Sequence, residues 1–374
     1  PKTQRLGLHA HIVHTVPGCQ RGAWGTKAAP HKAGDTCRHY GVDGCINGYI
    51  IDQDTALFEE TTSRLAEVFN VCGFDMVYFD GSEDVDRRRY HYYASKAHAV
   101  PMRKFKKRPM IHMGGGFQHN LWHSFTRSGT VDTYLNTLHG YIIAGGTIDK
   151  WPTVRDHIDR SVRYMQSVSN DMIPGELGWF GIWSKGSHTD GLQLDEIEYL
   201  MCRSLAFNAP ISLETGFSQM ERHPLTPGIL AIVGVYERLR LAGKTPETML
   251  VPLREPGKDF VLFHAAPAKP EDVPEFVEVQ ALEQVAGTHD VRAYLGPRGA
   301  GSVATVWHYL GREGKLTVDT DRVAASDVLG NPIALEKAGA KAIVPIGCAR
   351  TTLVFADLKP DAVRALLAKT RFEA

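Results

Sequence analysis

A chain of 374 residues with 43% hydrophobic composition can bury a substantial core and form more than one domain. Lysine plus arginine equals aspartate plus glutamate at 42 each, so no overall field draws the chain to nucleic acid or to an anionic membrane. No apolar run approaches the roughly 20 residues that a membrane helix needs, and Pro1 to Arg5 is polar rather than signal-like. The expected partner is therefore a small or neutral ligand.

The first predicted element is a strand over Leu6 to Val13, in which the alternation of side chains puts His9 and His11 on one face. An irregular glycine-rich stretch follows with Cys19, Cys37 and Cys45, where a Cys37 to Cys45 bridge or free thiols both fit. The spacing is not of the Cys-x-x-Cys type, so structural zinc is not expected. These cysteines favour a periplasmic or secreted location over the cytoplasm. From Asp54 to Cys72, Leu57, Thr61, Leu65, Val68 or Phe69, and Cys72 mark one helical stripe, with Asp54 as N-cap and Gly73 as the stop.

That helix feeds Gly73-Phe-Asp-Met-Val-Tyr-Phe-Asp80, an apolar strand over Met76 to Asp80 that ends in a carboxylate followed at once by Gly81. Further strands are predicted over Pro109 to Met113, Ser124 to Asp132, Met172 to Trp183 and Ile211 to Glu214. His112 precedes Gly114-Gly-Gly116, with His119 and His123 beyond, and glycines there permit close approach of a ligand. A helix from Asp195 to Asn208 points Ile197, Leu200, Met201, Ser204 and Leu205 inward, and another opens at Thr226-Pro227 and stops at Gly243.

Alternation of strand and helix to about residue 243 predicts a mainly parallel sheet. Beyond Pro252 the texture changes to short strands between Gly, Pro and Asp turns: Phe260 to His264, Val291 to Leu295, Ala304 to Leu310, Lys315 to Val318 and Thr351 to Phe355. This pattern predicts an antiparallel β-sandwich closed by a helix over Pro360 to Lys369.

The order of Leu6-Gly-Leu-His-Ala-His-Ile, then Val77-Tyr-Phe-Asp80, then Leu192-Gln-Leu-Asp-Glu-Ile-Glu-Tyr-Leu-Met-Cys-Arg-Ser-Leu-Ala-Phe-Asn-Ala-Pro-Ile-Ser-Leu213 resembles the glycoside hydrolase clan that includes the α-galactosidases. The resemblance covers about residues 5 to 243 in the order of elements. It implies a TIM barrel of the (β/α)8 type over residues 1–250, followed by the antiparallel β-sandwich over 251–374, with no cofactor and no metal. If Leu6 to Val13 matches the clan's third strand, only six barrel strands are present. The expectation is then that the first strands are missing from this chain and that a second polypeptide or copy completes the barrel, unless the Cys19 to Tyr49 region substitutes for them.

Carried over residue by residue, Asp80 takes the place of the clan's nucleophile on its fourth strand. Arg127-Ser-Gly-Thr-Val-Asp132 resembles the clan's Arg and acid/base Asp, with one extra residue between them, and Glu176 in Met172-Ile-Pro-Gly-Glu-Leu-Gly-Trp179 is the other candidate proton donor. Hydrolysis of a glycosidic bond needs two carboxyl groups in different protonation states, about 5–5.5 Å apart for retention and about 6.5–9.5 Å for inversion. Trp179 and Trp183 suit stacking against the C–H faces of a sugar. His9, His11, His112, Arg127 and Glu214 are the remaining expected contacts to a carbohydrate substrate.

Three rival readings use the same residues. His9-Ala-His11 fits the metal pair of an amidohydrolase barrel, although the strand-borne Lys and last-strand Asp of that family are not evident. A polysaccharide lyase acting on a uronic-acid glycan would use Tyr78, Tyr90, Tyr92 or the histidines to remove a proton, with Arg127 pairing the substrate acid. A non-catalytic carbohydrate-binding protein is the third.

Overall fold

The structure is a computed structural model that describes residues 27, 30, 32, 39–42, 48–79, 85–86, 89–113, 153–169, 174–187, 189–213, 215–269, 272–285 and 287–374. The chain forms two compact units, residues 1–128 and 129–374. The expected strands Leu6 to Val13 and Ser124 to Asp132, and both ends of the Cys37 to Cys45 bridge, lie outside the described residues. No helix among the described residues is long and apolar enough to cross a membrane.

In the first unit, β1 (His39–Val42) pairs antiparallel with β2 (Gly48–Ile51), from His39 opposite Ile51 to Val42 opposite Gly48. The Cys19 to Tyr49 stretch thus contributes regular structure where an irregular segment is expected. Helix α1 (Ala56–Cys72) ends at Gly73, whose φ of 69° is left-handed and whose N–H donates to the Phe69 carbonyl; glycine takes this conformation at no steric cost.

The face that α1 buries differs from the expected stripe by one residue. Phe58, Thr62, Ala66 and Phe69 are buried, while Leu57, Leu65 and Val68 are exposed. Two apolar stripes overlap in this helix, and the one carrying both phenylalanines is inside because an aromatic ring removes more apolar area from water than a leucine does. Phe69 stacks on Phe105 with ring centroids 4.2 Å apart. The N-cap is Thr55 rather than Asp54.

Strand β3 (Met76–Phe79) runs parallel to β4 (Met110–Met113), with Met76 opposite Met110 and Phe79 opposite Met113. Helix α2 (Tyr90–Met102) connects them, completing a βαβ unit. Asn70 fixes the return loop, its side-chain amide donating to the Lys104 carbonyl at 3.1 Å and accepting from the Lys106 N–H at 2.7 Å.

In the second unit α3 (Val154–Val168) is started by a capping box in which the Thr153 side chain accepts from the Asp156 N–H and the Asp156 carboxylate accepts from the Thr153 N–H. A second parallel pair follows, β5 (Gly178–Phe180) against β6 (Ile211–Leu213), with α4 (Leu194–Ala206) between them. Among the described residues of the expected Met172 to Trp183 strand, three pair with β6. On its N-terminal side the Leu177 N–H donates to the Pro210 carbonyl, and proline has no N–H with which to continue the ladder. Helices α5 (Phe217–Arg222), α6 (Thr226–Ala242) and α7 (Glu247–Leu253) complete the helical part.

Two antiparallel sheets follow. The seven-stranded sheet contains β7 (Asp259–Phe263), β8 (Glu275–Ala281), β9 (Val291–Arg298), β10 (Gly301–His308), β12 (Ala324–Ser326), β13 (Pro332–Ile333) and β16 (Thr351–Phe355), in the order β13-β12-β16-β10-β9-β8-β7. The four-stranded sheet runs β14 (Glu336–Ala338), β15 (Lys341–Ile346), β11 (Gly314–Val318), β17 (Arg371–Glu373), and α8 (Pro360–Ala368) precedes its last strand. Ala293, Leu295, Ala304 and Val306 of the larger sheet share one core with Leu316, Val318, Val344 and Ile346 of the smaller.

The larger sheet is covered on its other face as well. Phe260, Leu262 and Trp307 belong to the core built by Ile197, Leu200 and Met201 of α4 and by Ile229, Ile232 and Tyr236 of α6. Every residue of β10 is buried as a result. Within this unit the layers are therefore helices, seven-stranded sheet, four-stranded sheet, with Leu253 in the same core as Phe260.

Candidate active site

In a βαβ unit the ligand lies beyond the C-terminal ends of the parallel strands, where the loops leave the sheet. Asp80 is the residue after Phe79, the last of β3, and Glu214 is the residue after Leu213, the last of β6. Both carboxylates, with His9, His11, Arg127 and Asp132, lie outside the described residues. His112 and Trp179 are described through their backbones alone: His112 stands opposite Tyr78 in the β3–β4 register, and Trp179 opposite Ser212 in β5–β6.

Glu176 and Trp183 fall on opposite ends of β5. Glu176 is buried, two residues before the strand begins and next to Leu177, whose N–H meets Pro210. Trp183 lies three residues beyond the strand, half-buried, and its carbonyl accepts from the Leu192 N–H at 3.0 Å, holding the loop against the start of α4.

Around β3 the structure adds residues whose roles the sequence does not announce. The His98 ring on α2 packs on Phe79 with centroids 4.4 Å apart, and burial pushes its imidazole down to about 4. Asp54, just before α1, accepts from the Tyr93 hydroxyl at 2.5 Å and the Lys96 ammonium at 2.9 Å. These two hydrogen bonds, the tyrosine's first, hold the Asp54 carboxyl below its ordinary range. Lys96 also donates to the Gln53 carbonyl at 2.6 Å and lies within about 6 Å of the Phe58, Tyr92 and Tyr93 rings. The one sequence signal for this cluster is the run Tyr90-His-Tyr-Tyr93, in which the sequence marks Tyr90 and Tyr92 but not Tyr93, the residue that bonds Asp54.

A second polar cluster joins the helices of the larger unit to its sheet. Arg155 of α3 donates to Asp195 at 2.7 Å, to Tyr294 at 3.1 Å and to Asp259, and the Tyr294 hydroxyl donates to Asp195 at 2.7 Å. Burial first, then the charge of Asp195, pushes the neighbouring Glu196 carboxyl up to about 7. Deeper in, Glu198 accepts from Arg350, from the Tyr236 hydroxyl and from the Leu262 N–H.

This cluster contains acids, a cation and the stacked rings of Tyr294 and Trp307. Asp195, Asp259 and Glu198 are each taken up by an intramolecular partner, however, and Glu196 accepts from the Gln193 N–H as part of a capping box. Such an arrangement fastens layers together rather than receiving a sugar. Among the described residues no group of three or more His, Cys, Asp or Glu is placed to hold a metal ion.

No protein-family model matches the chain, and no curated protein matches it. Solved structures similar to it are glycoside hydrolases. A noncanonical maltogenic α-amylase from Thermotoga neapolitana is 12% identical over 83% of this chain and 68% of that one, with a TM-score of 0.31. A debranching enzyme from Nostoc punctiforme is 11% identical over 82% and 63%, with a TM-score of 0.31. A GH27 β-L-arabinopyranosidase from Geobacillus stearothermophilus is 9% identical over 82% and 64%, with a TM-score of 0.29. This chain thus spans about two thirds of the length of each, and superpositions this loose carry no argument about its activity.

Proposed function

We propose that the chain is a glycoside hydrolase that cleaves a glycosidic bond in an oligo- or polysaccharide with a pair of carboxyl groups. The observation that supports it is the position of Asp80: it follows directly on β3, a strand in parallel register with β4 across the α2 connection. Strand ends of this kind are where barrel enzymes present their catalytic acids. In this reading the two parallel pairs belong to a TIM barrel over residues 1–250, and the paired antiparallel sheets form the C-terminal sandwich.

Asp80 is assigned as the nucleophile and must stay ionised to attack the anomeric carbon, while Asp132 or Glu176 holds the proton for the leaving oxygen. Between the two donors, the position of Glu176 before β5 favours Asp132, because protonation takes place at the other end of a strand. His9, His11, His112, Arg127, Trp179, Trp183 and Glu214 are assigned to the sugar.

A screen of aryl glycosides and polysaccharides, comparing the wild-type chain with Asp80→Asn, tests the reading. The expected result is turnover of at least one substrate and a loss of about 10³-fold or more in the variant. Near-normal turnover by Asp80→Asn removes the nucleophile assignment. Products that absorb in the ultraviolet through a new double bond would identify a lyase instead.

A further inference from the structure

The balance of 42 cations against 42 acids hides an uneven distribution. Between Asp86 and Asp132 the chain carries ten lysines and arginines and not one aspartate or glutamate. Five of the ten fall in Arg103-Lys-Phe-Lys-Lys-Arg108, the turn that leads from α2 into β4. Phe105 anchors that turn by stacking on Phe69 of α1, and Arg103, Lys106, Lys107 and Arg108 on either side of it are exposed. A cluster of this kind acts locally, within a Debye length of roughly 8–10 Å, whatever the total charge of the chain.

The turn lies beside a set of apolar side chains that the first unit leaves in water. Asn70 holds Lys104 and Lys106 next to the end of α1, the Lys107 ammonium donates to the Gly73 carbonyl at 3.0 Å, and the Met110 N–H donates to the Asp75 carbonyl at 2.9 Å. Residues 104–110 therefore run alongside 70–76, and Met110 stands opposite Met76 in the β3–β4 register. Val71, Phe74, Met76 and Met110 are each half or more exposed. Lys104 is matched by Glu59 and Lys107 by Asp75, at 2.5 Å each. Arg103 and Lys106 take part in no ion pair among the described residues. All these residues belong to the first unit and gather at the N-terminal ends of β3 and β4, the opposite end from the one that Asp80 follows.

We propose that this end of the first unit is a docking surface for an anionic lipid bilayer, with Arg103, Lys106 and Lys107 at the level of the phosphates and Val71, Phe74, Met76 and Met110 entering the acyl boundary. The occupant has to meet exposed cations and exposed apolar tips together, and the leaflet of an anionic membrane offers both. A soluble polyanion would answer the cations and leave the four apolar side chains in water, while a neutral apolar partner would strip water from the cations without compensation. Lysine and arginine stems join the two levels, since they lie along apolar surface while their charged heads stay hydrated. A chain docked in this way turns the C-terminal ends of β3 and β4 away from the bilayer, and its attachment does not depend on what those ends bind or cleave.

Vesicle flotation of the full chain provides the test. Vesicles of phosphatidylglycerol and phosphatidylcholine in equal parts should bind it about tenfold or more tightly than phosphatidylcholine alone at low salt, and added salt should weaken that binding. Arg103→Gln with Lys106→Gln should weaken it by about tenfold or more, and Phe74→Ser with Met110→Ser should do the same at unchanged charge. Arg64→Gln, at a surface arginine of α1 paired with Glu67, should leave affinity within about twofold. Thermal unfolding of each variant is read first, and the wild-type comparison of the two vesicle types decides the matter even where a variant does not fold. A wild-type chain with no preference for anionic vesicles overturns the surface, as does a preference that survives either double variant or falls equally in Arg64→Gln. Binding to heparin that depends on Arg103 and Lys106 but not on Phe74 and Met110, without vesicle binding, would replace the bilayer with a soluble polyanion.

Discussion

Arg350 places one guanidinium nitrogen 2.6 Å from each carboxylate oxygen of Glu198, a residue 152 positions earlier in the chain, and both side chains are sealed from solvent. The pair joins α4 to the residue that leads into β16. Arg350 also donates to the Leu262 carbonyl at 2.9 Å, and Glu198 accepts from the Tyr236 hydroxyl and the Leu262 N–H, each at 2.9 Å. Burial pushes the Glu198 carboxyl up while Arg350 pulls it down. Those additional hydrogen bonds offset part of the desolvation that a buried ion pair suffers.

Breaking the pair from one side should be costly. Arg350→Met leaves an ionised carboxylate buried without its cation, and urea unfolding of the larger unit should show a loss of about 3–5 kcal/mol. Replacing both partners, Arg350→Met with Glu198→Gln, should recover part of that loss, because no unpaired charge then remains. A double variant no more stable than the single one would mean that the pair matters for its shape rather than its charge.

The helical layer and the larger sheet of the second unit should not fold separately. Gln193 accepts from the Trp307 indole at 3.2 Å, Arg203 donates to the Leu253 and Glu255 carbonyls, and Arg155 bridges Asp195 to Asp259. Residues 251–374 expressed alone would expose Phe260, Leu262 and Trp307 to water. The expected outcome is an aggregating or dye-binding product with poor dispersion in its amide NMR spectrum. In the whole chain, Arg155→Ala should cost about 2 kcal/mol, below the fully buried case because Arg155 retains some exposure. A well-dispersed spectrum from residues 251–374 would disprove the dependence.

His98 gives the first unit a pH dependence of definite sign. Burial lowers its imidazole to about 4 from an ordinary 6.5, so the folded unit holds it neutral and the unfolded chain binds the proton more readily. The stability it contributes is present above pH 6.5 and is lost as pH falls toward 4, by roughly 3 kcal/mol over that window. Hydrogen exchange of α2 followed between pH 7 and pH 4, corrected for the intrinsic rate, should report this loss. His98→Phe, which keeps a ring against Phe79, should flatten the dependence, and an unchanged slope would assign it to another group.

Sequence alone made some of these elements legible and hid others for identifiable reasons. Ile197, Leu200, Met201, Ser204 and Leu205 of α4 are all buried as the spacing predicts, because Pro210 and the polar start around Gln193 bracket a strong apolar run. Helix α2 has no comparable stripe: its buried residues are Tyr93, Ala94, His98 and Pro101, three of which count against a helix or an apolar face. In α3 the buried face includes His157 and Ser161 between Ile158, Val162 and Met165, which blurs the period. The end of β3 could be located from the sequence because an apolar run stopped by Asp-Gly is a local signal. The packing of His98 on Phe79, by contrast, depends on how α2 is rotated against β3, which no spacing rule fixes.

Helix α1 tests the competition between its two stripes directly. Phe69 is 3% exposed and stacks on Phe105, while Leu57, twelve residues earlier on the displaced stripe, is 50% exposed. Phe69→Ala should destabilise the first unit by about 3–5 kcal/mol, the usual range for emptying an aromatic site in a core. Leu57→Ser should change stability by no more than about 0.5 kcal/mol, as expected at a solvent-facing position. Leu57 separates the registers because it is inside in the expected one and outside in the observed one, while Phe69 sets the scale of loss for a residue that is inside. Thermal unfolding monitored on the first unit decides between them, and a larger loss from Leu57→Ser than from Phe69→Ala would turn the helix by one residue, back to the stripe expected from its spacing.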